Sequence, residues 1–155
     1  MARRQPPMLF ALGIIHKAMM AGQVFFAGIC IFLISTGRFD AGLKEMDRNF
    51  QVIALVVSAA AFWGGTAFFK KQLLVARDSS GDAAEKFSFY RKGSIVQWAL
   101  MEGAALLNII GFFLTANYAF IILAGVLILL FAMMAPSKGK VQLQLGLDEE
   151  EINSL

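Results

Sequence analysis

Four blocks of apolar residues, each about long enough to cross a bilayer, govern what this chain can become. They run over about residues 8–35, 50–69, 94–115 and 119–135, and a membrane-spanning helix needs ~20 predominantly apolar residues. Lipid offers no partner to a bare amide, so such blocks must close their hydrogen bonds internally as helices. The balance of residue types agrees: 58% of the 155 residues are hydrophobic and 16% are charged. A soluble domain has about half and about a quarter. The expectation is an all-α membrane protein with four transmembrane helices arranged as two tandem helical hairpins. The transmembrane domain covers 1–135, and a cytosolic tail covers 136–155.

The third block, SIVQWALMEGAALLNIIGFFLT from Ser94 to Thr115, carries one charge, Glu102. Insertion scales charge roughly 2.5–3.5 kcal/mol for an ionised side chain at mid-membrane, so an intramembrane carboxylate is a candidate site. The first block is interrupted by His16 and Lys17. Lys17 is placed to extend its ammonium to the near interface. Glu102 and Lys17 are therefore the two intramembrane charge candidates for ion binding. A direct pair, a pair between subunits and no pair at all remain open, as does a protonated Glu102 that binds and releases a proton.

The connections carry their own signals. Residues 36–49 (TGRFDAGLKEMDRN) are polar. The second block ends on Lys70-Lys71 and holds Ala60-x3-Gly64 and Ala61-x3-Gly65, spacings that let another helix approach closely. Residues 70–92 alternate charges with Leu73, Leu74, Phe87, Phe89 and Tyr90 around Asp78-Ser79-Ser80-Gly81. This predicts that helix 2 continues into the cytosol, turns, and gives way to a helix 3 of over 30 residues. Asp82 is its expected N-cap, with Glu85 at capping-box spacing. TANY, 115–118, is a tight turn, and the fourth block has no polar side chain and is expected to face lipid. Pro136 ends it. The tail holds Leu143-x-Leu145-x-Leu147 and an acidic run in which Asp148 suits a helix start. Docked and solvated tails are both open.

Lys and Arg set the expected orientation. Ten lie in the N-terminal arm, the 70–92 hairpin and the tail, against three in the opposite connections. The positive-inside rule then puts both termini in the cytoplasm of a bacterial inner membrane. Lys70, Lys71, Arg91 and Lys92 fall where anionic headgroups would be.

Residues 18–35 laid on 99–116 match at six of 18 positions, and the two blocks run in the same direction. A duplicated hairpin follows, with a seam on each first helix. On helix 3 the seam is Ser94, Gln97, Met101, Ala104, Asn108, Gly111 and Thr115; on helix 1 it is Gly13, His16, Met20, Gln23, Ala27, Cys30 and Ile34. Small and polar residues at such spacing hold membrane helices together. Helices 1 and 3 are thus expected as the central pair, with His16, Gln23, Gln97 and Asn108 as interface polar groups.

Two tandem hairpins with a membrane carboxylate in MEGAA resemble the duplicated proteolipids of rotary ATPases. That resemblance implies a ring-forming fold and makes Glu102 the ion-binding candidate. The chain departs from the family in three respects. Glu102 stands on the first helix of its hairpin, Gly13, Gly22 and Gly28 share no common step, and the cytosolic hairpin is long and basic. The segments WALMEGAALLNIIGFFLT and APSKGKVQLQLGL also resemble small, uncharacterised four-helix membrane proteins of bacteria, a likeness that implies no activity.

One Cys, Cys30, and one His leave little material for zinc, haem or Cys/His catalysis. HExxH, GxSxG and a glycine-rich phosphate loop are all missing from the sequence. No catalytic residue, metal or cofactor is expected, and the basic flanks lack the aromatic interleaving of a nucleic-acid platform. The functional expectation is a non-enzymatic membrane subunit or accessory protein that packs against itself or a partner. The alternative is an ion-translocating oligomer that uses Glu102.

Overall fold

The computed structural model describes residues 8–39, 42 and 47–155. The basic arm at 1–7 and residues 40–41 and 43–46 of the first connection lie outside the described residues. The fold is helical: α1 (Met8–Ser35), α2 (Asp47–Asp78), α3 (Ala83–Thr115), α4 (Tyr118–Met133), α5 (Lys138–Leu145) and α6 (Glu149–Asn153). Three helices are long and apolar enough to cross a membrane, or four if α4 and α5, bent by 74° at Pro136, count as one span.

α3 alone is the central helix. It packs most extensively against α2, then α4, then α1, while α1 rests on α3 and α4 rather than on α2. Half of α3's most apolar stretch is buried, against 17% for α1 and for α2. This corrects the expected central pair of helices 1 and 3. The reason lies in the connections: Ser79–Asp82 is a short turn that holds α2 and α3 together along their whole lengths.

Local chemistry explains each turn. Asp82 caps α3, its Oδ1 accepting from Glu85 N at 2.9 Å. Glu85 does not close the expected capping box; its Oε1 instead accepts from Ser79 Oγ at 2.9 Å, which ties the turn to the helix it precedes. The complete box is Asp148 with Glu151, at α6. At the other turn Ala116 adopts φ 56°, and Asn117 caps α4 by accepting from Ala119 N at 2.9 Å. α4 is not uniformly lipid-facing. Phe120, Ala124, Leu127 and Phe131 form a buried stripe, and Gly111 lies so near Phe120 that a Cβ would stand 2.7 Å from the ring.

Contacts between helices define a common level. His16 meets both Trp98 and Phe131, and Gln97 bonds Thr66. From that level to the far ends of α1, α2 and α3, the helical rise gives roughly 26–29 Å, close to the ~30 Å of bilayer hydrocarbon. Beyond it, on the side of α5, lies a second apolar layer. Leu12, Ala76, Phe87 and Tyr90 pack there with Val141, Leu145, Leu147 and Ile152. The tail is docked. Arg77 fastens it, donating from Nε to Gln144 O at 2.6 Å and from Nη2 to Leu143 O at 3.4 Å, at the carbonyl end of α5.

Candidate functional site

The polar residues of the spans fall into two separate groups. Between α2 and α3, Asn108 Nδ2 donates to Ser58 Oγ at 2.9 Å and to Ala104 O at 2.8 Å, while Gln97 Nε2 donates to Thr66 Oγ1 at 3.2 Å. Gly65 makes room for the second bond: a Cβ there would come within 3.3 Å of Gln97. Small residues and amide bonds together let the two backbones approach.

Among α1, α3 and α4 the centre is His16. It is buried, stacked on Phe131 with centroids 4.5 Å apart and edge-on to Trp98 at 4.8 Å. Its Nε2 lies 2.9 Å from Phe131 O. A carbonyl only accepts, so Nε2 carries the proton. Phe131 O belongs to the last turn of α4, where it also accepts from Met134 N at 3.0 Å, so the imidazole is its second donor. Lys140 Nζ supplies another donor at Met133 O, 3.1 Å away. The imidazole and the ammonium thus close the end of α4 where the chain turns into α5.

The seam residues of both first helices point inward, but to different partners. All seven on α3, from Ser94 to Thr115, are buried, as are His16, Gln23, Ala27 and Cys30 on α1. The bonds run from α3 to α2 and from α1 to α4, so the two seams do not face each other as expected from the repeat. Gln23 is fully buried, and among the described residues neither Nε2 nor Oε1 finds a hydrogen-bond partner. Asn108 Oδ1 is likewise unpaired.

Glu102 is half-buried, about one turn (~6 Å) deeper than Trp98. Lys17 is exposed beside His16. They form no ion pair, and neither has a hydrogen-bond partner among the described residues. No group of three His, Cys, Asp or Glu side chains gathers among those residues either.

The small-residue motifs of α2 divide their labour. Ala61 and Gly65 are buried against α3, whereas Ala60 and Gly64 remain exposed. Beside them an open groove of about 420 Å³ runs between the helices, lined by Val57, Ala60 and Ala61 of α2 and by Ala99, Gly103 and Ala104 of α3, with Leu100 at its edge. Gly103 was not singled out in the sequence, since it matters only once α2 lies beside it. Phe131, Ser58 and Thr66 were equally silent: an apolar residue in an apolar helix and two isolated hydroxyls announce no partner.

No protein-family model, curated protein or solved structure matches the chain.

Proposed function

We propose that this chain is a non-enzymatic membrane subunit or accessory protein whose α2–α3 groove receives a transmembrane helix, from a second copy or from another membrane protein. The observation that carries this reading is the groove itself. Two neighbouring helices present Ala60, Ala99 and Gly103 on its open side, and small residues are the ones that admit a second backbone at close range. The basic flanks support an orientation with both termini in the cytoplasm of a bacterial inner membrane, with Lys70, Lys71, Arg91 and Lys92 against anionic headgroups. Ala60→Leu with Gly103→Leu is expected to abolish the partner or dimer species in native mass spectrometry from mild detergent. The chain itself should still accumulate, because a Cβ at Gly103 meets nothing within 4 Å. An unchanged set of species would exclude the groove as the docking site.

A second reading rests on Glu102. A half-buried carboxyl group without an ion pair among the described residues suits an ion carrier in an oligomer, the role the proteolipid resemblance implies. Glu102→Gln keeps shape and hydrogen bonding while removing the titration. The expected result under this reading is complete loss of proton flux in reconstituted vesicles with the oligomer intact. Unaltered flux would remove Glu102 from any carrier role.

A further inference from the structure

On the tail side of the bundle α1, the bend at Pro136 and α6 enclose a cleft of about 430 Å³. Two cations line it. Lys17 comes from α1 and has no partner among the described residues. Lys138 opens α5 and donates from Nζ to Asn153 Oδ1, which holds it at the cleft. The lining contains no Asp or Glu side chain. The rest of its wall mixes apolar Leu9, Phe10 and Ile14 with Ser137, Asn153 and the last residue, Leu155, whose O accepts from Leu9 N at 3.4 Å. Lys17 neighbours His16, so the two ammonium groups stand near the level where hydrocarbon gives way to headgroups.

The face of α1 that carries Lys17 continues into the membrane. Lys17, Ala21, Gly28 and Phe32 fall on one stripe by their spacing. Around Gly28 a shallow apolar groove of about 410 Å³ opens between Val24, Phe25 and Phe32. Gly28 lies roughly 16 Å along the axis from Lys17, a distance that an extended acyl chain covers. The cleft with its two positive charges and the apolar groove thus lie along one side of α1, in the direction a lipid tail runs. We propose that an anionic phospholipid seats its phosphate between Lys17 and Lys138 and lays an acyl chain along the α1 groove at Gly28. Lysine binds phosphate as a point charge with rotatable donors, which tolerates the varied headgroups of such lipids.

The test uses the full chain in mild detergent with phosphatidylglycerol, phosphatidylcholine and soluble glycerol phosphate, read by native mass spectrometry. Phosphatidylglycerol is expected to be retained over phosphatidylcholine, and Lys17→Gln with Lys138→Gln to weaken it about tenfold. Glutamine at 138 keeps a donor for Asn153, so α6 stays docked. Lys70→Gln with Lys71→Gln, on another helix, should leave retention unchanged. Gly28→Leu fills the track without altering charge and should also weaken retention; a Cβ there meets nothing within 4 Å. Equal retention of the two lipids would overturn the proposal. So would an equal loss from the Lys70/Lys71 variant, which would mean a diffuse basic surface. Full competition by glycerol phosphate would overturn it as well, because the site would then take a soluble phosphate.

Discussion

Replacing His16 with alanine is expected to lower the free energy of unfolding by about 3 kcal/mol, the combined effect of a large cavity and a lost buried hydrogen bond. The imidazole fills the junction of α1, α3 and α4, stacked on Phe131 and edge-on to Trp98. Its Nε2–H reaches Phe131 O at 2.9 Å, in the last turn before the chain bends by 74°. The loss should therefore fall on two things at once, the seat of α1 and the joint that turns α4 into α5. His16→Phe separates them. It keeps a ring in the stack and loses only the donor, so it should cost about 1 kcal/mol. Denaturation in mixed micelles, followed by tryptophan fluorescence, measures both, since Trp98 lies 4.8 Å from His16. Equal stability of the alanine variant and the parent would show that the junction does not hold α1 in place.

Gln23 leads to an effect of opposite sign. Its side chain is 0% exposed and neither amide atom has a hydrogen-bond partner among the described residues. Burying a polar group unpaired costs about 1–3 kcal/mol, and an apolar side chain of similar shape removes that penalty. Gln23→Leu is accordingly expected to raise unfolding free energy by about 1–2 kcal/mol. Asn108→Leu provides the contrast. Asn108 also bears one unpaired oxygen, but its Nδ2 bonds Ser58 Oγ across α2 and α3. Losing that bond should destabilise by roughly 0.6–1.7 kcal/mol, the range found for hydrogen bonds between membrane helices. The same denaturation series ranks the two. A fall in stability for Gln23→Leu would mean that the amide is satisfied in the membrane and that its burial is not a penalty.

These two glutamine and asparagine positions also show how far the sequence reaches. Spacing by three and four placed Gln23 and Asn108 on buried faces, because helical periodicity is a local property and every helix carries it in its own residues. The same holds for the long α3, for its Asp82 cap and for the apolar lengths that make spanning helices. Hydropathy and capping need no knowledge of neighbours. Glu102 stood out on composition alone, as a charge in an apolar block.

Which faces meet was a different matter. The internal repeat paired the α1 seam with the α3 seam, yet Asn108 bonds α2 and His16 bonds α4. The short Ser79–Asp82 turn holds α2 beside α3, a constraint that no match between residues 18–35 and 99–116 records. The tail followed the same logic. Leu145 and Leu147 had equal claims to water and to a core until α2, α3 and α5 came together and Arg77 met the α5 carbonyls. By itself the sequence determined the long apolar helices and the inward sides of α1 and α3, whereas the buried stripe of α4 and the helix α5 emerged only in the fold. Only the tertiary structure decided their partners, the groove left open beside Gly103 and the cleft between Lys17 and Lys138. Contact between distant segments depends on turn length and on the fit of whole surfaces, and neither is written in any one stretch of residues.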